Sequence, residues 1–249
     1  RAYLEVVLGR PPTRLEVWRH FFAFTDFLLR LLRAGRGAAE RCILAPENAP
    51  AFETLLASSE PALFGTFHFG CSDLLGYMLG AAGRRITMVR LKVGNSDETR
   101  LLGDRFADRV SFLWVNDAAQ LIFALKGCLE TGASLALKCD RMEFSAKTDA
   151  FQFLGARRTF PTTIYHLAIL FGRPVVFCVA LPGGEPNTLR VHASPIYRPD
   201  PARARAANLA AAHEHFQDVL QHLETLVRQQ PCLWFNYLPL NPVVPVRIP

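Results

Sequence analysis

The chain contains no G-x-S-x-G elbow, no P-loop and no dinucleotide-binding glycine pattern, which argues against classical serine hydrolases, P-loop NTPases and Rossmann oxidoreductases. It has no apolar run approaching the roughly 20 residues needed to span a bilayer. Zinc-finger spacing, RNA-binding aromatic signatures and a helix-turn-helix pattern are missing, so no nucleic-acid partner is expected. There is no C-x-x-C. The six cysteines, Cys42, Cys71, Cys128, Cys139, Cys178 and Cys232, lie far apart and mostly inside apolar runs. They read as buried, reduced thiols of an intracellular compartment, and no residue cluster has metal-ligand spacing. Charge is scarce as well, with 20% of residues charged against 50% apolar. Either the interior is large or part of the surface meets something apolar.

The charge that is present is unbalanced. The net value is +6 and the basic residues fall in small groups: Arg84 and Arg85, Arg90 and Lys92, Arg157 and Arg158, Arg203 and Arg205. Such a surface favours anionic partners, among them phospholipid head groups, CoA phosphates and acidic carrier proteins. Scattered solvated charges are the alternative reading. A chain of 249 residues is long enough for one large α/β domain, and no linker divides it. We expect an amphipathic helical segment over 1–60 packed on an α/β domain over 61–249. The first residue is Arg, which leads us to expect a segment before it that could carry a signal or anchor.

The stretch "FFAFTDFLLRLLRAG" from Phe21 fits an amphipathic helix with Phe21, Phe24, Leu28, Leu31 and Leu32 on one face. It is expected to cover the domain's own sheet, with an interfacial membrane helix as the alternative. Beyond it, strands and helices alternate: strands over 62–67, 85–91, 110–115, 133–140, 173–182 and 189–197, and helices over 71–83, 95–108, 117–132, 161–172 and 201–231, with a loop over 141–158. Continuous apolar strands between helices predict a mostly parallel central sheet covered by helices on both faces. Active sites of such sheets sit at the carboxyl ends of the strands.

His68 falls at such an end, and Asp73 follows five residues later in "GTFHFGCSD". Seven histidines and ten aspartates in 249 residues make H-x-x-x-x-D a chance match about 0.3 times, so the pattern alone says little. A second match, His213 and Asp218, lies inside the predicted closing helix, where five residues turn the side chains apart by about 140°. The first straddles a strand end and a helix start, where the turn can fold Asp73 back to the His68 imidazole. Gly70 and Ser72 leave room for that turn. A neutral imidazole held by a carboxylate can take the proton of an attacking hydroxyl. That is the base half of a triad without the enzyme's own nucleophile, and it suits direct acyl transfer to an alcohol. The bland alternative is a histidine capping the 71–83 helix, with Asp73 near that helix's positive end.

Four blocks, "GTFHFGCSD", "ALKGCLETGASLALKCDR", "FQFLGARRTFPTTIYHLAILFGRPVVF" and "PCLWFNYLP", resemble in order and spacing those of bacterial lipid A late acyltransferases. These belong to the lysophospholipid acyltransferase superfamily, and within the group the chain also resembles the acyltransferases associated with aryl polyene clusters. The resemblance runs from about Pro61 to Leu238. It implies a single-domain acyltransferase α/β fold, His68 and Asp73 as the catalytic pair, an acyl carrier protein or CoA thioester as donor, no resident cofactor, and a membrane-lipid acceptor. The implied location is peripheral, on an anionic lipid surface at the cytoplasmic face of the bacterial inner membrane. Arg90 matches a basic phosphate contact after a strand. Asp140 matches an aspartate at a strand end that positions the acceptor or a basic side chain. Phe153, Gly155 and Thr162 match a segment shaping the acyl or acceptor pocket. Lys138, Arg141, Arg157 and Arg158 are candidate phosphate clamps. The family commonly ends in Trp-x-His-Arg-Arg, whereas this chain has Trp234, Phe235, Asn236, Tyr237 and Leu238. Loss of the His and both Arg argues against an acceptor as phosphorylated as lipid A. A hydrolase of the same thioester or of a lysophospholipid, and a non-catalytic lipid- or carrier-binding protein, are the competing readings.

Overall fold

A computed structural model describes residues 1–37, 40–81, 83–90, 108–115, 118–142, 145 and 147–244. The helices are α1 (Ala2–Leu8), α2 (Arg14–Gly35), α3 (Ala49–Ala57), α4 (Ser72–Ala81), α5 (Ala118–Glu130), α6 (Thr163–Phe171) and α7 (Arg205–Gln229). The strands are β1 (Arg41–Leu44), β2 (Leu63–Thr66), β3 (Ile86–Arg90), β4 (Val110–Trp114), β5 (Ser134–Lys138), β6 (Thr148–Phe153), β7 (Ala156–Pro161), β8 (Val175–Pro182) and β9 (Thr188–Ala193). Seven of them form one mixed sheet in the order β1-β9-β8-β2-β5-β3-β4, in which only β8 and β9 pair antiparallel. The protein is therefore α/β with a mostly parallel sheet.

Alternation along the strands divides the core in two. Leu63 and Phe67 around β2, with Val175, Phe177 and Val179 on β8, point to the face covered by α6 and α7. Phe64, Val176, Cys178 and Ala180 point to the other face, where Phe27 of α2, Phe52 of α3 and Leu75 of α4 pack. Each large apolar side chain buried this way stabilises the fold by about 1.5–3 kcal/mol before conformational entropy is subtracted.

Several elements differ from the sequence expectation. Residues 141–158 are not all loop: β6 and β7 form a separate antiparallel hairpin that starts within that span and runs to Pro161. Its two-residue turn puts Leu154 at φ +51° and Gly155 at φ +73°, the doubly left-handed geometry that matches strand twist and that glycine adopts without steric cost. The strand expected over 189–197 spans only Thr188–Ala193. The helix expected over 95–108 lies outside the described residues, except for Asp108 in the turn before β4. The segment 1–60 also contributes more than a helix, since β1 joins the central sheet along β9.

Helix α2 begins with a capping box, in which the Thr13 hydroxyl accepts from the Glu16 amide and the Glu16 carboxylate accepts from the Thr13 amide. Its buried side is His20, Phe27 and Leu31. Phe21 and Leu32, expected on that side, are exposed. The opposite side carries a second apolar stripe of Leu15, Trp18, Phe22 and Leu29, with Trp18 62% and Phe22 67% exposed.

Candidate active site

His68 stands two residues beyond the carboxyl end of β2, in the turn that leads into α4. That turn is tightly held. The Gly70 amide donates to the Leu233 carbonyl (2.8 Å), the Cys71 amide to the Ala180 carbonyl (2.7 Å), and the His68 carbonyl accepts from the Phe235 amide (2.6 Å). Gly70 has φ +65°, and a Cβ there would collide with the Ala180 carbonyl oxygen. The requirement at this glycine is thus both left-handed backbone and close approach to β8.

The strand register brings the partner of His68. Parallel pairing sets Thr66 beside Lys138, and the Cys139 amide donates to the Thr66 carbonyl at 2.8 Å, so the next residues out, His68 and Asp140, lie side by side. One Asp140 oxygen accepts the His68 backbone N–H at 2.8 Å and the other meets His68 Nδ1 at 2.7 Å. Asp140 is completely buried. Burial alone would raise its pKa, but attraction to His68 and the two hydrogen bonds hold it below the ordinary carboxylate range. An ionised carboxylate only accepts, so Nδ1 carries the proton and Nε2 presents its lone pair. Among the described residues Nε2 has no hydrogen-bond partner, and His68 lines a cavity of about 550 Å³. Burial lowers the His68 pKa, and Lys138 and Arg141 lower it further against the opposing pull of Asp140. The imidazole is therefore neutral at pH 7 and able to accept a proton.

Asp73 does not bond to His68, contrary to the sequence expectation. From the first turn of α4 it accepts from Arg90 (2.6 Å, guanidinium) and pairs with Lys138 Nζ at 3.2 Å. Lys138 also donates to the Ser72 hydroxyl at 2.8 Å. Burial pushes Asp73 up, but Lys138 and Arg90 outweigh it and hold the carboxyl well below its usual range. The role of orienting the imidazole belongs to Asp140, while Asp73 organises two cations at the ends of β3 and β5.

Of the other expected site residues, Arg90 and Arg141 line the cavity, and Arg141 Nε donates to the Asn236 side chain at 3.0 Å. Arg158 does not. It is buried and donates to the carbonyls of Phe153 (3.3 Å) and Asn241 (2.9 Å), tying the β6–β7 hairpin to the C-terminal segment. Arg157 is exposed on the hairpin. Phe153 is core, packed against Phe160 and Trp234. Gly155 serves the hairpin turn, and Thr162 precedes α6 without a side-chain cap, its neighbours Pro161 and Thr163 rather than itself lining the cavity. The second H-x-x-x-x-D match is separated as expected: His213 stacks on Phe151 and faces Asp149 at 3.6 Å, while Asp218 borders a different, smaller cavity. Comparison of the chain with protein-family models and with curated proteins gave no match.

Cys139 also lines the cavity, but burial raises its thiol far above neutrality, which leaves it protonated and a weak nucleophile. Among the described residues the His68 end of the cavity thus offers a group able to accept a proton, paired cations and apolar walls.

Proposed function

We propose that the protein is an O-acyltransferase of lysophospholipid acyltransferase-like fold, moving a fatty acyl group from an acyl carrier protein or CoA thioester to a hydroxyl of a membrane glycolipid or lipid-like acceptor. The observation that carries this reading is an imidazole held through Nδ1 by a buried carboxylate and lining a mainly apolar cavity. His68 Nε2 takes the acceptor's hydroxyl proton as the oxygen attacks the thioester carbonyl. The C–S bond then breaks, and the departing sulfur takes the proton back from the imidazolium, giving an ester and a free thiol. Arg90, Lys138 and the first turn of α4 supply positive potential for the oxyanion that forms between those steps.

No helix among the described residues is long and apolar enough to cross a membrane. Contact with a lipid surface, which the acyltransferase reading places peripherally on the cytoplasmic face of the bacterial inner membrane, is supported by the exposed stripe of α2, where Trp18 and Phe22 have Arg14 and Arg19 near them in sequence. The test is mass spectrometry of lipid extract incubated with wild type or His68→Ala and mixed acyl-CoA and acyl-carrier-protein donors. An acylated lipid formed only by wild type supports the proposal. Free fatty acid alone would replace it with the hydrolase, and no product from either protein would favour a binding protein.

A further inference from the structure

The cavity at His68 draws its walls from both sides of the sheet. On the α4 side these are Phe64, Leu75, Gly76, Leu79, Met88 and Ala136. On the α5 and α6 side they are Val89, Leu121, Leu125, Leu137, Ile164 and Leu167. Consecutive residues of a strand point to opposite faces. Yet Met88 and Val89 of β3 line the same cavity, and so do Ala136 and Leu137 of β5. The sheet is hydrogen-bonded from β2 through β5 to β3 as far as Met88 and Ala136, where the β3–β5 pairing ends. Continuity between the two sides runs over the carboxyl ends of these strands, where His68, Lys138 and Arg90 stand.

We propose that this cavity binds two hydrocarbon groups at once, one on each face of the sheet, with their polar ends meeting at His68. A single chain draped over both sides would lay its middle methylenes against Asp73, Arg90 and Lys138, which apolar groups do not stabilise. Two chains that end at the crest put only polar functions there and keep methylenes against apolar walls. The inference rests on the acyl-transfer reading in one respect: it names one group as the donor's acyl chain and the other as part of the acceptor. It adds where the two groups lie, one against the α4 side of the sheet and the other against the α5 and α6 side.

Gly76 marks the wall on the α4 side. A Cβ there would lie 3.0 Å from Met88 Sδ, so Gly76→Leu fills that side, and Leu167→Trp fills the other. The experiment is native mass spectrometry of the protein titrated with hexadecanoic acid, together with photocrosslinking by hexadecanoic acid bearing a terminal diazirine. Wild type is expected to take up two chains and to be labelled on both sides, at residues such as Leu79 or Met88 and Leu125 or Leu167. Each filling variant is expected to lose one chain and one set of labels while the other set persists. Saturation at one chain, labels confined to one side, absence of binding, or loss of both sets in either folded variant would overturn the proposal. The wild-type stoichiometry and label map decide the matter even if a variant fails to fold. Because occupancy needs no turnover, a protein that holds two chains but transfers nothing would sink the acyltransferase reading and leave this inference standing.

Discussion

Asp140→Asn and Asp73→Asn separate the two carboxylates that compete for the role of orienting His68. Asp140 now accepts two hydrogen bonds, from the His68 amide and from Nδ1. An asparagine in the same place has one acceptor oxygen and one donor NH₂. If its oxygen keeps the backbone amide, its NH₂ points at Nδ1, which must then be the unprotonated nitrogen. The proton moves to Nε2, and the base facing the cavity is lost. General-base catalysis contributes about 10²–10⁴-fold, so kcat should fall by that factor while KM changes little. Asp73→Asn leaves the imidazole's partner untouched and instead releases Arg90 and Lys138. Its cost should be smaller in kcat and should appear in KM for an anionic donor and in stability, where hydrogen bonds to charged groups contribute about 1.5–3 kcal/mol. The assay is initial-rate acyl transfer across donor concentrations, with thermal unfolding in parallel. An Asp140→Asn enzyme with wild-type kcat, beside a dead but folded Asp73→Asn enzyme, would refute the assignment of Asp140 as the orienting carboxylate.

Gly70→Ala should destabilise the protein, because left-handed backbone costs a non-glycine residue about 1–3 kcal/mol and the new methyl meets the Ala180 carbonyl. With about 2–4 °C per kcal/mol for a chain of this size, calorimetry should show a Tm at least a few degrees lower. Trp18→Ser with Phe22→Ser should leave Tm unchanged, since both side chains are already in solvent. Sedimentation with anionic phosphatidylglycerol vesicles should weaken by about tenfold or more, given about 1.5–3 kcal/mol for each large apolar side chain that becomes buried. Stability should also fall as pH drops below 6.5. Burial holds His20, His68, His192 and His215 below their unfolded value, so the unfolded chain binds more protons in that window and acid favours it. The acid limb of kcat/KM should likewise have its midpoint below 6.5, and a midpoint above 7 would contradict a desolvated base.

The parts of this structure legible in the sequence are those set by local pattern. Apolar runs punctuated by Gly and capping residues place β2, β3, β4, β5 and β8, with α4, α5 and α6, to within a few residues. The hairpin 148–161 was missed although Phe151, Gln152 and Phe153 alternate as a half-buried strand does, because the pattern is short and its turn carries Leu rather than Asn at the first left-handed position. On α2 the expected face of Phe21, Phe24, Leu28, Leu31 and Leu32 was rotated from the observed one: Leu31 is buried and Phe24 and Leu28 pack against the core, but Phe27 replaces Phe21 and Leu32, because a helix apolar on most sides does not fix by periodicity the edge of its buried face.

The site shows the same division between local and long-range information. His68 was legible because a polar residue at the end of a buried strand has few structural uses. Its partner was not, because proximity along the chain favoured Asp73 at a separation of five, whereas Asp140 is 72 residues away. The missing step was register. "ALFGTFH" and "ASLALKCD" both end in a titratable residue at a carboxyl strand end, and pairing Leu63 with Leu135 carries His68 opposite Asp140. The same register sets Met88 beside Ala136, so continuing outward brings Arg90 next to Lys138, with Asp73 meeting both from the start of α4. In a parallel sheet the chemistry collects along one edge. A pair of residues there is better sought between neighbouring strand ends than along a single turn, and H-x-x-x-x-D spacing alone cannot say which acid the imidazole takes.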